Sequence, residues 1–438
     1  DLHSLRRRQR QMCIRDRDKG ETMKIEKKLW IILFAFGIFA ICFSGWIFRQ
    51  STAREKLFWD NTIRCETKEL KEGEIKSENI ALPEDFDVPK SILFKTTHTI
   101  AEVWLDGEKI YEYGNEADAP GFMKTPGSCW HIVDIPGDSS GKNLEVRIIP
   151  VYEGYYGNEV SLVYGTRGDC ILKILTDCLG ILVISCGILF AAVICILLYC
   201  GAARRKRSDK TEAKIEIFLN LGFFSLLVAV WTLVQCGFLQ FLIPDGRTLY
   251  FVEYFSLFLF PVPFNFLLYD ICKSRYHKGA LIFSILYLTN MAVDVLLQCT
   301  GIIDMSRLLS VIHVIMVANV VYTVVIILYE AGKKENDVAQ KFRYPMCVVM
   351  GFGMAEMIFY YLRRFEQISI LLSMGTMLFI IMLIWIQVSQ YYDQYIQKQK
   401  VIYLQKIANM DMLTEAMNRN AYEDMVKYLD EGEIKLST

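Results

Sequence analysis

Eight long apolar stretches divide this chain, and they constrain its fold more than any other feature. The first, Leu29–Phe48, runs 20 residues without a charge. A helix needs roughly 20 apolar residues to cross the hydrocarbon core of a bilayer. Seven more stretches follow, at about 171–200, 215–242, 249–272, 280–299, 308–329, 346–362 and 368–391. Together they lift the hydrophobic share to 53% and the mean hydropathy to +0.27. A soluble domain is nearer about 45–50% apolar. The expected class is therefore a multi-pass membrane protein with the lipid bilayer as its partner. The net charge of −1 carries no polyanion signal, so no nucleic acid is expected.

Basic residues between the stretches give the expected orientation. Lys27 and Lys28 precede the first stretch and favour a cytosolic N-terminus, which makes residues 23–48 a cytosolic stub and signal anchor. A cleaved signal peptide is the alternative, but no small-x-small cleavage site follows. One set of alternate loops carries Arg204, Arg205, Lys206, Arg207, Lys210, Lys214, Lys273, Arg275, Lys278, Lys333, Lys334, Lys341 and Arg343. The other set carries only Arg247, Arg307, Arg363 and Arg364. Lys and Arg concentrate in cytoplasmic loops, so the first set is expected inside, with both termini cytosolic. Arg363-Arg364 is the discordant pair. Residues 1–22, with Arg-Arg-Arg-Gln-Arg-Gln at 6–11, resemble translated cloning sequence and are set aside as a non-native leader. A basic cytoplasmic arm is the alternative.

Between the anchor and the seven later stretches, residues 49–170 alternate apolar and polar in short runs: Ser91–Thr97, Ile100–Leu105, Lys109–Tyr113, Leu144–Pro150 and Val160–Tyr164. Period-two alternation predicts strands with one buried face. Asp106-Gly107, set between two such runs, predicts a tight hairpin, because both residues accept positive φ. An antiparallel β-sandwich outside the membrane is expected. Most of the 13 cysteines sit in apolar stretches, among them Cys42, Cys178, Cys186, Cys195, Cys200, Cys236, Cys272 and Cys347, where they read as small apolar fillers. Cys65 and Cys129 lie in the outside segment and form a candidate disulfide that spacing alone does not fix. No metal-ligand cluster, phosphate loop or catalytic triad is found in residues 23–438.

Three resemblances add to this reading. Ala101-Glu-Val-Trp-Leu-Asp-Gly-Glu-Lys-Ile-Tyr111 resembles a strand pair of jelly-roll, galactose-binding-like domains. An anchor, an outside β domain and seven helices at 171–391 resemble the 7TMR-DISM receptors of bacteria, an architectural likeness without a fixed motif. Asp411-Met-Leu413-Thr414-Glu-Ala-Met-Asn418-Arg419 resembles the opening of a GGDEF domain. Glu415 and Ala416 depart from that family's usual Gly-Leu.

The GGDEF resemblance implies a diguanylate cyclase, which converts 2 GTP to cyclic di-GMP and pyrophosphate. It implies a structural and transmission role for Asp411, Leu413, Thr414, Asn418 and Arg419. Asp411 would cap the following helix. The metal-binding Asp and the Gly-Gly-Asp-Glu-Phe hairpin of that family are not in these 438 residues. Residues 411–438 are thus expected to be the N-terminal fragment of an α/β GGDEF domain. Magnesium and GTP would act only through the rest of that domain, and this chain alone would be inactive. Residues 392–410 continue the last stretch, with Tyr392, Ile396, Tyr403, Ile407 and Met410 spaced as a seam, and resemble the signalling helix of homodimeric sensors.

Candidate ligand contacts in the β domain are Trp130, His131, Tyr155 and Tyr156, since ring faces with polar neighbours suit a small molecule such as a carbohydrate. Asp294, His313 and Glu356 are costly inside a membrane and form a candidate polar switch, with a His313–Glu356 contact as one arrangement. The expected whole is a receptor in the bacterial inner membrane. The alternatives are a receptor with a degenerate GGDEF domain, and a carbohydrate-binding or transport protein without enzymatic output.

Overall fold

The structure is a computed structural model that describes residues 63–65, 75–82, 89–115, 119–152, 160–206, 216–333, 336–362 and 369–409, together with 418, 422, 423 and 426. The expected leader at 1–22 and the expected anchor at 29–48 lie outside the described residues. The chain divides into two units, one reaching to Ile380 and one running from Ile381 to Thr438.

Among its described residues the first unit holds eight strands: β1 (Ile63–Cys65), β2 (Lys76–Ala81), β3 (Lys90–Thr97), β4 (Thr99–Leu105), β5 (Glu108–Tyr113), β6 (Ser128–Ile135), β7 (Asn143–Pro150) and β8 (Val160–Gly165). They form two four-stranded sheets, ordered β1-β8-β3-β6 and β2-β7-β4-β5, with every pairing antiparallel. The hairpin predicted at Asp106-Gly107 is present. Its φ angles of 49° and 86° are the left-handed values that a two-residue hairpin turn needs.

Alternation along the strands builds the core. Ile92, Phe94, Val133, Ile135 and Leu162 of one sheet join Ala101, Val103, Leu105, Leu144, Val146 and Ile148 of the other in one hydrophobic cluster. The neighbouring positions point the other way and are buried or half-buried as well. Leu93, Trp130, Ile132 and Val163 pack on Ile174, Cys178, Ile181 and Cys236. The sheet containing β3 is therefore apolar on both faces, because helices cover the second.

Those helices are α1 (Arg167–Lys206), α2 (Glu216–Gln235), α3 (Gly246–Leu259), α4 (Pro261–Ile271), α5 (Lys278–Cys299), α6 (Leu309–Gly332), α7 (Asp337–Leu362) and α8 (Ile370–Asn409). Thr166 and Asp169 start α1 as a reciprocal capping pair. The Asp169 carboxylate accepts from the Thr166 N–H at 2.9 Å, and the Thr166 hydroxyl accepts from the Asp169 N–H at 3.2 Å. Asp245 caps α3 through the N–H groups of Arg247 and Thr248. The single stretch read at 249–272 is two helices, since Pro261 has no N–H to continue α3. Among the described residues, six segments are long and apolar enough to cross a membrane: Arg167–Gly201, Glu216–Gln235, Gly246–Ile271, Arg275–Cys299, Met305–Gly332 and Asp337–Leu362. A shorter apolar helical stretch spans Ile370–Ile386.

Of the second unit, the helical residues up to Asn409 and a helical turn at Tyr422 and Glu423 are described, with the Tyr422 N–H donating to the Asn418 carbonyl at 3.0 Å. Asp411, Leu413, Thr414 and Arg419 lie outside the described residues.

The candidate Cys65–Cys129 disulfide is not formed. Cys129 is a free, buried thiol 2.8 Å from the Tyr113 hydroxyl. Cys65 is on β1 and Cys129 on β6, with β8 and β3 between them. Three strand spacings are roughly 14 Å, about twice the Cα separation a disulfide spans.

Candidate functional site

The sheets meet the helix ends through a buried network of polar side chains, built from segments distant in sequence. Asp304, in the connection from α5 to α6, is at its centre and is 6% exposed. Its carboxylate accepts from the Tyr152 hydroxyl, which follows β7. It also accepts from the Lys124 N–H at 3.3 Å and from the Gln298 amide at 2.7 Å. Gln298, near the end of α5, donates to the Phe122 carbonyl at 2.6 Å and accepts from the Met305 N–H at 3.0 Å. Tyr250 of α3 donates to the Gln298 side chain at 3.1 Å and accepts from the Ser306 N–H at 3.0 Å. Arg307 lies over the Tyr152 ring at 5.6 Å.

His98 completes this junction. It occupies the β3–β4 turn at φ 53°, a conformation in which a non-glycine residue is uncommon. Its ring is hydrogen-bonded to the Thr125 hydroxyl at 2.9 Å, and its N–H donates to the Gly127 carbonyl at 3.0 Å. The rings of Tyr152 and Tyr250 lie 6.2 and 5.8 Å away. Burial lowers the His98 pKa to about 4, against an opposing pull from the Asp304 carboxylate. The neutral imidazole is thus the folded form. Gly301, at φ 69°, lets the loop before Asp304 approach the sheets; a Cβ there would stand 2.9 Å from the Gly121 carbonyl.

Trp130 belongs to a second part of the same junction. Its backbone exchanges two hydrogen bonds with the Gln240 side chain, at 2.8 and 2.6 Å. Its indole packs so closely on Gly237 that a Cβ there would meet the ring at 2.7 Å. Lys95 is 5.5 Å from the ring centre. The indole N–H is buried and has no hydrogen-bond partner. Trp130 therefore anchors β6 to the turn at Phe238–Phe241 and is not an open platform.

His131 is placed inside the sheets, at 2% exposure. Thr96 is bonded to its Nε2 at 2.6 Å and Tyr111 to its Nδ1 at 2.9 Å, so both ring nitrogens are taken. Burial lowers its pKa to about 3. This corrects its expected role as a ligand contact: a ring with no free nitrogen and no exposed face serves the core. Tyr155 and Tyr156 lie outside the described residues.

The three intramembrane candidates do not come together. Asp294 accepts from Asn290, four residues back on α5, at 2.6 Å. The His313 ring is bonded to the Tyr361 hydroxyl at 2.9 Å. Glu356 accepts from the backbone N–H groups of Ser369 and Leu372 at 2.6 and 3.0 Å, which caps α8. The expected His313–Glu356 contact is absent because each group is satisfied by a different partner.

A further cluster, which the sequence did not suggest, lies at the other helix ends. Glu330 accepts from the N–H groups of Lys273 and Ser274 at 3.1 and 2.9 Å and from the Asn336 amide at 2.9 Å. Asn336 also donates to the Ile271 carbonyl and caps α7 through the Ala339 N–H. Two polar staples thus hold the helices at opposite ends. Among the described residues, no group of three His, Cys, Asp or Glu side chains could hold a metal ion.

These features are those of a membrane-type protein, with antiparallel sheets fastened to the ends of helices long and apolar enough to cross a bilayer. Compared with known proteins, the chain matches no family model and no curated sequence.

Proposed function

We propose that this protein is a transmembrane receptor whose β domain controls a cytosolic output of the diguanylate cyclase type. In this reading the two sheets form a sandwich of the jelly-roll, galactose-binding-like kind, and the six spans with the Ile370–Ile386 stretch form a seven-helix bundle. The observation that carries the proposal is the Asp304 network. It joins the chain after β7, the 122–124 segment and the ends of three helices through hydrogen bonds that one displacement would break together. A ligand that shifted the sheets would be felt at the helix ends, because a buried polar network is stable only when fully paired.

The arrangement of helix ends supports the orientation. The connections near 236–245 and 300–305 face the sheets, whereas Lys273, Ser274 and Asn336 cluster at the far end. Lys273, Arg275, Lys278 and Lys333 belong to that far end, as they would if it were cytosolic and the sheets extracytoplasmic. The tail from Tyr392 would carry the shift, as a dimeric signalling helix, to the domain that opens at Asp411. Two GTP molecules and magnesium would act in that domain.

The test is cyclic di-GMP formation from GTP and magnesium by membranes expressing the gene from its own start codon to its own stop. Product whose level changes in Asp304→Asn supports the receptor-to-cyclase reading. Absence of product, with GTP still bound, favours a degenerate output domain. Product that is indifferent to every junction substitution refutes the coupling.

A further inference from the structure

Cys178 of α1 and Cys236, just after α2, are buried against each other at the sheet end of the helices. The Cys178 thiol donates to the Cys236 carbonyl at 2.6 Å, and both residues belong to one buried cluster. The Cys236 thiol also donates to the Leu233 carbonyl at 3.3 Å, the ordinary arrangement for a cysteine at a helix end. Other buried cysteines are differently placed. Cys170 donates to the Ser91 carbonyl at 3.6 Å, and Cys129 is engaged with Tyr113. Only the Cα and Cβ of Cys236 separate the carbonyl that Cys178 touches from the sulfur it would bond. That proximity is what disulfide formation requires, since the bond tolerates little backbone movement.

We propose that Cys178 and Cys236 are a dithiol–disulfide pair whose oxidation ties α1 to the end of α2. The co-reactant is a small external disulfide. One of the two protein thiolates attacks one of its sulfurs, forming a mixed disulfide and releasing one thiolate. The other protein thiolate then attacks the protein sulfur of that mixed disulfide and releases the second. Two protein thiols become one disulfide, and the two electrons and two protons leave as two small thiols. Cys236 directly precedes Gly237, on which the Trp130 indole packs, and Gln240, which holds the Trp130 backbone. The bond would therefore tie α1 to the residue that leads directly into the turn where β6 docks. It would restrain the junction through which the sheets act on the helices. The expectation that an oxidant reaches the pair rests on the receptor reading, which puts this end outside, where disulfides persist.

The experiment uses the full chain in native membranes. Membranes are incubated with oxidised glutathione, free thiols are blocked with N-ethylmaleimide under denaturing conditions, and unreduced digests are analysed by mass spectrometry. The expected result is a Cys178–Cys236 linked peptide lighter by two hydrogens, abolished by dithiothreitol. In Cys178→Ser the linked peptide is lost and Cys236 carries N-ethylmaleimide or a single glutathione. Recovery of both cysteines singly alkylated in the oxidised wild-type protein overturns the proposal. A reporter cysteine, Ser140→Cys, in the exposed β6–β7 connection, reads the orientation independently through a membrane-impermeant maleimide applied to intact cells. A cross-link with an unlabelled reporter overturns the compartment and with it the receptor reading, while the thiol pair itself stands.

Discussion

Replacing Asp304 by Ala should open the junction selectively. The substitution removes the acceptor of three donors: the Tyr152 hydroxyl, the Lys124 N–H and the Gln298 amide. Gln298 keeps the Phe122 carbonyl and Lys124 is exposed, so the Tyr152 hydroxyl is the buried donor that loses its acceptor. That loss costs roughly 1–3 kcal/mol. Tyr152→Phe removes one bond to a charged group and should cost about 1.5–3 kcal/mol. The two substitutions delete the same bond, so the double variant should fall short of their sum by roughly 1–3 kcal/mol. Cys129 is a suitable reporter, because its thiol is wedged between Tyr113 and Gly246 at the same junction. Its alkylation rate in membranes, followed peptide by peptide, reports the open fraction. At tenfold per about 1.4 kcal/mol, Asp304→Ala should accelerate it ~5-fold or more. An unchanged rate, or strict additivity in the double variant, would refute the claim that Asp304 fastens sheets to helices.

Acid should destabilise the fold through its buried histidines. His98 and His131 have folded pKa values near 4 and 3, below the unbound value of 6.5, so their neutral forms are the native ones. Their contribution is complete above pH 6.5 and is lost as the pH falls, at ~1.4 kcal/mol per pH unit for each residue, until the folded pKa is passed. Thermal unfolding in detergent should drop between pH 7 and 5, and His98→Asn, which tolerates the positive φ, should remove about half of that slope. A pH-independent midpoint would contradict the assignment. At the start of α8, Glu356→Gln should weaken the cap by about 1 kcal/mol. Hydrogen exchange at Ser369 and Leu372 should then accelerate while the sheet amides stay protected.

What could be read from the sequence was whatever depends on near neighbours in the chain. Asp106-Gly107 announced its hairpin because positive φ is a property of those two residues alone. The apolar stretches announced helices of spanning length because the bilayer fixes that length. The junction was hidden for the opposite reason. Asp304 finds its donors 6, 152 and 180 residues away, and no local pattern marks such a carboxylate. Counting charges assigned the loop at 300–307 to a side of the membrane, whereas its acidic residue is a fastening point. Alternation also misled at β3. It predicts one buried face, yet Leu93 is as buried as Ile92 and Phe94, because α1 covers the second face. A residue such as Trp130 or His131 then looks like a ligand contact in sequence and proves to be an anchor or a core member in the fold. Physically the two roles need the same side chains, rings with one polar edge, and only the neighbours supplied by distant elements separate them. Two polar residues that each gather several donors, Asp304 at one end of the helices and Glu330 at the other, were inconspicuous in the sequence. Each holds together loops that hydropathy treats as mere connections, and each is where a shift of the sheets or of the far helix ends must break several hydrogen bonds at once.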